Sequence, residues 1–220
     1  MKRNRSRGVS SVEFAFSLLV MGPLVLGTGV MGINMIRELQ TVQLTRDAGH
    51  MYARGIDFAL SGNQTVLTDL GSNVGLTSSG NAVVIFSTLT YVDKNLCAAV
   101  GAVDASGNPT AACTNYTQWV FTQRLYVGNT AVRSSNFGSP LTTGPTGVTI
   151  GSDGKISQSD QATKSGDVAT FTGVNPYSVN NGVASGLPSG QVLYLAEVGV
   201  NGFNMAPFVG HAVMYEFGFF

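Results

Sequence analysis

The sequence predicts an α+β chain: a long N-terminal membrane-spanning helix followed by an antiparallel β-sheet extracytoplasmic domain. Three observations predict it. Val9–Ile36 is a run of 28 residues whose only charge is Glu13. Four cations, Lys2, Arg3, Arg5 and Arg7, stand in front of that run. The remainder is poor in charge, rich in Gly, Ser, Thr and Asn, and punctuated by β-branched and aromatic runs, a composition that favours sheet over helix.

The apolar run comes first. At the rise of an α-helix it is roughly 42 Å long, against a hydrocarbon core of about 30 Å, so it spans a bilayer with tilt or a kink. The basic leader places the N-terminus in the cytoplasm and everything after Ile36 outside, in a single pass through the cytoplasmic membrane. A cleaved secretory signal has an apolar core of about 7–15 residues and a small-x-small cleavage site. This run is about twice as long, and Gly-Ile-Asn-Met-Ile-Arg-Glu offers no such site. An uncleaved anchor is the plainer alternative. Pro23 removes a backbone donor and predicts a kink or a loosened turn. Thr28 and Gly32 form a weak small-xxx-small pair, suited to helix packing or simply tolerated by lipid.

Gly8 closes the basic leader, Val9 would follow a cut there, and Glu13 would then be the fifth residue. A basic leader ending in Gly, an apolar helix and Glu at the fifth position resemble the type IV prepilin signal. The resemblance implies cleavage between Gly8 and Val9 by a prepilin peptidase. It also implies that Glu13 meets the new amino group of a neighbouring subunit. A carboxylate in hydrocarbon is costly unless paired or neutral. The alternative is that Glu13 sits at headgroup level and is solvated, being only about 9 Å of helix from Arg7.

Residues 37–60 predict an amphipathic continuation of the helix, with Leu39, Val42, Tyr52, Ile56 and Ala59 on one broad face able to dock on a sheet. Ser61-Gly62-Asn63 is the expected stop. The stretch Thr45–Gly55, Thr-Arg-Asp-Ala-Gly-His-Met-Tyr-Ala-Arg-Gly, resembles the helix that follows the membrane segment in TadE-like proteins of the tight-adherence (Flp) pilus system. A surface helix with charge support at i,i+4 gives the same pattern.

The extracytoplasmic domain is expected over 61–220. A short helix is expected at Thr65–Leu70. Ala82–Asp93 and Tyr116–Val127 read as strands, the second with Trp119, Phe121, Leu125 and Val127 on one parity and Trp119 in the core. Cys97 and Cys113 lie between them. Outside the membrane they are free to form a disulfide clipping a long hairpin loop, worth about 3 kcal/mol in the chain-entropy model; two free thiols are the alternative. Residues 128–190 are a loop-rich insert, with a hairpin form at Val148–Ile156 and an edge strand at Asp167–Phe171. It is the best candidate for a partner-facing surface. Gln191–Val200 and Ala212–Phe220 are the last strands, joined by a turn region, Asn201–Gly210, that holds Pro207. Leu195-Ala-Glu-Val with the later Pro207 is similar to a late TadE strand, although Val200 and Gly202 replace expected aromatics. Glu197 is then either a family feature or the outward side of a strand.

No nucleophile elbow, phosphate loop, His-containing triad or metal-ligand cluster is present in the sequence, and the two histidines stand apart. No enzymatic activity, cofactor or metal is expected. Net charge is zero, and removal of Met1–Gly8 leaves an acidic chain with no basic patch for nucleic acid. The resemblance implies a minor pilin-like assembly component whose partners are the prepilin peptidase, the major pilin and other minor pilins. The alternative is a signal-anchored extracytoplasmic adhesion or ligand-binding module that uses the 128–190 region.

Overall fold

The computed structural model describes residues 6–170, 179–180, 183–184, 190–204 and 212–220. Met1–Arg5, Phe171 and Pro207, on which some expectations fell, lie outside the described residues. The elements are α1 (Ser6–Ala53), α2 (Ser61–Leu70), β1 (Ala82–Tyr91), α3 (Lys94–Ala99), β2 (Trp119–Gly128), α4 (Gln158–Thr163), a two-residue ladder β3 (Val179–Asn180) and β4 (Val183–Ala184), then β5 (Val192–Asn201) and β6 (Val213–Phe219). The main sheet has the order β2-β1-β5-β6, and each neighbouring pair is antiparallel. A long apolar helix and a four-stranded antiparallel sheet make the chain α+β.

Helix α1 begins at Ser6 and runs through Pro23 without a break in its helical assignment. It ends at Ala53, seven residues before the expected end at Leu60. Gly55, at φ 86°, supplies the left-handed residue. The amide of Ile56 then bonds to the Met51 carbonyl at 3.1 Å and that of Gly55 to the Tyr52 carbonyl at 2.9 Å. This paired C-terminal capping pattern ends the helix where only glycine adopts the backbone without cost. Ser61-Gly62-Asn63, expected as a stop, instead forms the first turn of α2.

Of the face expected to dock on the sheet, Tyr52 is in the core and Ile56 and Ala59 pack against it, but the rest differs. Leu39 is exposed, and the buried residues are Thr41, Leu44, Thr45, Ala48 and Tyr52. The threonines are admissible because each bonds backwards: Thr41 Oγ1 donates to the Arg37 carbonyl and Thr45 Oγ1 to the Thr41 carbonyl, both at 2.8 Å. With the hydroxyl satisfied inside the helix, the methyl faces the sheet. Gly49 allows the closest approach; a Cβ there would fall on the ring of Phe220.

The sheet is covered on both faces. On the helix face, Ala82, Val84 and Phe86 of β1, Leu125 and Val127 of β2, and Ala196, Val198 and Val200 of β5 pack with Leu44, Ala48, Tyr52 and Phe58. Phe58 stacks on Phe86, centroids 4.4 Å apart and 4° from parallel. On the other face, Leu89, Trp119, Phe121 and Leu195 pack with Phe137, Val148 and Ile156 from the 128–170 segment. Trp119 is in this core. The expectation of one parity for Trp119, Phe121, Leu125 and Val127 fails. The register pairs Thr88 with Gln123 but Leu89 with Phe121, leaving Thr122 as an extra residue. A bulge of this kind turns every side chain beyond it to the opposite face.

The insert is more regular than its composition suggests. Its chain closes the outer edge of β2: the Arg124 amide bonds to Gly154 O, the Ile156 amide to Thr122 O, and the Ala169 amide to Trp119 O, at 2.8–2.9 Å. A covered edge cannot template pairing with another chain. Ile150 and Ile156 bridge as the expected hairpin form. In place of an edge strand, Ser165–Asp167 is a 3-10 turn, and Val168 makes a single bridge to Val120.

Candidate functional site

Two regions of the described chain carry features beyond packing: the first half of α1 and a buried polar cluster under the sheet.

From Val12 to Ile36 the helix is largely bare. Phe14, Phe16, Leu19, Met31 and Met35 are each more than 60% exposed, an apolar surface far larger than a soluble monomer tolerates. Among the described residues this is one helix long and apolar enough to cross a membrane. Gly8 and Val9 lie inside the helical backbone, and Glu13 is exposed on it. Among the described residues the ion pairs are Arg124–Glu197 and Lys155–Asp153, neither of which involves Glu13.

The bare half gives way to the docked half at a polar clamp. Asn34 Oδ1 accepts from the Phe203 amide at 2.7 Å. Three residues on, Arg37 Nη1 donates to the Asn201 carbonyl at 2.9 Å. Tyr52, near the helix end, meets Tyr194 edge-on at 5.3 Å. Helix α1 and β5 are therefore antiparallel, and the end of β5 and the start of β6 lie at the end of the sheet nearest the bare helix. The opposite end carries α3, where Cys97 is joined to Cys113 with Cα atoms 5.7 Å apart. Asp93 caps α3, accepting from the Leu96 amide at 2.9 Å.

The second region overturns the reading of Glu197 as outward-facing. It points away from the helix, but that face is roofed by residues 133–138, and Glu197 is 0% exposed. Its Oε2 accepts from Arg124 Nη1 at 3.3 Å and Ser135 Oγ at 2.6 Å. Its Oε1 accepts from the Asn136 amide at 3.0 Å and Tyr215 O–H at 2.5 Å. Arg124 also donates to Ser87 Oγ at 2.5 Å and to the Gly138 carbonyl, and lies over the Phe121 ring at 4.5 Å. Burial, and then the Glu197 charge, push the Tyr215 phenol well above its usual range. Such a network binds the 133–138 roof to all four strands of the main sheet. Nothing in the sequence pairs Arg124 with Glu197, since they lie 73 residues apart.

A different polar pair lies near α4. Asn115 Nδ2 donates to the Gln161 and Lys164 carbonyls at 2.8 and 2.7 Å, while Asn115 Oδ1 and both oxygens of Asp167 are buried without a hydrogen-bond partner. Burial, helped by Asp160, raises the Asp167 carboxyl to about 8, so it is mainly protonated at neutral pH. Tyr52, whose hydroxyl bonds Thr88 Oγ1 at 2.6 Å and Gln123 Oε1 at 2.9 Å, is pushed up to about 12 by burial. Among the described residues no three His, Cys, Asp or Glu side chains group as metal ligands. No protein-family model, curated protein or solved structure matches the chain.

Proposed function

We propose that this chain is a TadE-like, minor pilin-type structural component of a Flp/Tad type IV pilus, stored in the cytoplasmic membrane by α1 and assembled through it. The observation that carries the reading is the division of α1. One half is bare and apolar, and the other is fixed to a sheet by packing and two hydrogen bonds. A subunit built this way leaves the bilayer only if other apolar helices cover the bare half. Glu13 is the single charge in that half. Buried without a partner it is neutral or strongly destabilising. Paired with a neighbour's Val9 ammonium after a cut at Gly8, it selects one axial offset between helices. The reading places the leader in the cytoplasm and the β domain outside. Prepilin peptidase, the major pilin and other minor pilins are its partners, and its work is packing without turnover.

The test has two arms in cells that express the pilus system. Intact mass of the membrane fraction should show a protein beginning at Val9, and Gly8→Leu should retain the leader. Glu13→Gln and Glu13→Ala should be cut and folded normally yet fail to co-purify with the other pilins. A mature protein that begins at Met1, or normal assembly by both Glu13 variants, defeats the reading.

The second reading, a signal-anchored adhesion or ligand-binding module, is favoured by one feature. Tyr52, Thr88, Gln123, Lys155, Gln161 and Tyr194 border a groove of about 420 Å³, part of whose wall comes from the insert. That reading predicts an uncut leader and no dependence on Glu13.

A further inference from the structure

The groove beside Tyr52 lies at the end of the sheet far from the bare helix. Its volume, about 420 Å³, falls in the range of small-ligand sites, about 300–1,000 Å³. Three side chains that line it are held by their neighbours with hydrogen-bonding capacity left over. Gln123 Oε1 accepts from the Tyr52 hydroxyl at 2.9 Å, and Gln123 Nε2 donates to the Asp153 carbonyl at 2.7 Å. Both ends of this amide are fixed, and the second Nε2 proton is spare. Gln161 Nε2 donates to the Ile156 carbonyl at 2.7 Å. Its Oε1 bonds to no described residue, yet the sealed orphan atoms are those of Asn115, Arg124 and Asp167, so Gln161 Oε1 is open to solvent. Tyr194 stands edge-on to Tyr52 at 5.3 Å, and its hydroxyl has no hydrogen-bond partner among the described residues. The bulge at Thr122 is what brings Gln123 here. Strict alternation from Phe121 would turn residue 123 to the roof face, whereas the extra residue turns it to the helix face, against Tyr52.

The lining selects a class of ligand. Lys155 and Asp57 border the groove with opposite signs. Each is already engaged: Lys155 Nζ lies 3.3 Å from Asp153 Oδ2, and Asp57 Oδ1 holds the Ala59 amide at 2.9 Å. Burial pushes the Tyr52 phenol up to about 12, so it adds no charge at neutral pH. The groove therefore favours neither an anion nor a cation. A purely apolar ligand would strip water from the two amides and return no hydrogen bond. An extended peptide finds no strand edge to join, because Thr88 is paired on both sides, with Gln123 and with Tyr194. An uncharged molecule whose groups both donate and accept meets every requirement.

We propose that this groove binds a neutral saccharide. Sugar hydroxyls accept from Gln123 Nε2, donate to Gln161 Oε1 and exchange a hydrogen bond with the Tyr194 hydroxyl, and the C–H surface of the sugar packs on the apolar part of the wall at Ile56 and Val192. The two glutamines are held before the ligand arrives, so little side-chain freedom is lost on binding. The site does not depend on the leader or on Glu13, and it stands whether α1 is assembled or only anchored.

The experiment uses full-length protein in phospholipid nanodiscs, which carry no sugar headgroup. Saturation-transfer NMR is run with maltose, cellobiose, lactose and N,N′-diacetylchitobiose, beside trialanine as a peptide probe and glucuronate as an anionic one. The saccharide site predicts transfer to at least one of the disaccharides and to neither control. Tyr194→Phe should weaken that binding about fivefold, the size of one neutral hydrogen bond. Val192→Trp, at a residue 39% exposed, should fill the groove and abolish transfer without changing the near-UV circular dichroism. Lys155→Trp, at a side chain 66% exposed, repeats the occlusion from the insert side, so that loss of fold in one variant does not decide the outcome. No transfer to any of the disaccharides overturns the proposal. So does transfer to trialanine or glucuronate of equal strength, or disaccharide binding that survives both tryptophan variants.

Discussion

Glu197→Gln should be among the most damaging conservative substitutions in the domain. The side chain keeps its shape, so any loss comes from charge and hydrogen-bond direction. Each carboxylate oxygen faces one hydroxyl, which can rotate to accept, and one group that can only donate. Oε1 faces the Asn136 amide and Oε2 faces Arg124 Nη1. A glutamine has to aim its NH₂ at one of these, so neither amide orientation satisfies the site. Arg124, 3% exposed, is also left as a buried cation without its counter-charge. Removing one member of a buried pair costs about 3–5 kcal/mol, a large part of the 5–15 kcal/mol that holds a typical domain together. At about 2–4 °C per kcal/mol for a domain of this size, Tm should fall by roughly 6–20 °C. Near-UV circular dichroism of the full-length protein in detergent at neutral pH measures it. Arg124→Met with Glu197→Met removes both charges and should be less unstable than the sum of the single changes. It does not return to the parent, because Ser135, Asn136 and Tyr215 still lose an acceptor. A Glu197→Gln melt within about 2 °C of the parent would fit only a solvent-screened surface pair and would refute the reasoning.

The remaining predictions concern other parts of the fold. Asp167 holds a proton in the folded state up to about pH 8, whereas the unfolded chain releases it near pH 4; its contribution to stability is therefore full below that lower value, falls as pH rises through this window and is flat above it. Asp167→Asn should abolish that fall, which thermal melts of both proteins at pH 5 and 8 would reveal as a gap that widens with pH; parallel melts would show that the carboxyl is not buried. Gly49→Ala should destabilise by about 1–3 kcal/mol through overpacking on Phe220, and Phe220→Ala should recover much of it; equal loss in the single and double variants would mean that the helix, not the ring, is at fault. Opening Cys97–Cys113 should cost about 2–4 kcal/mol, and alkylation of freshly isolated protein without reductant should label neither sulfur.

The sequence by itself determined the features that depend on short-range composition. A run of 28 residues with one charge is an apolar helix whatever surrounds it, because backbone hydrogen bonding in lipid leaves few alternatives. Ala82–Tyr91 and Val192–Asn201 read as strands from their own β-branched and aromatic content, and their observed ends differ from expectation by two residues or fewer. What escaped were features decided by partners distant in the chain. Thr41, Thr45 and Gly49 do not look like a docking face, because their fitness comes from internal hydroxyl bonds and from the ring of Phe220. The extra residue at Thr122 belongs to pairing with β1, so a strict two-residue alternation placed Leu125 and Val127 on the wrong face. Glu197 reads as outward because it alternates with the apolar Ala196 and Val198; the roof at 133–138 comes from an insert whose Gly- and Ser-rich composition gives no hint of where it packs. Burial is a property of what lies across the gap. Only tertiary structure could set Arg124 against Glu197, or bring Asn34 to the Phe203 amide, because no local interaction along the chain connects either pair.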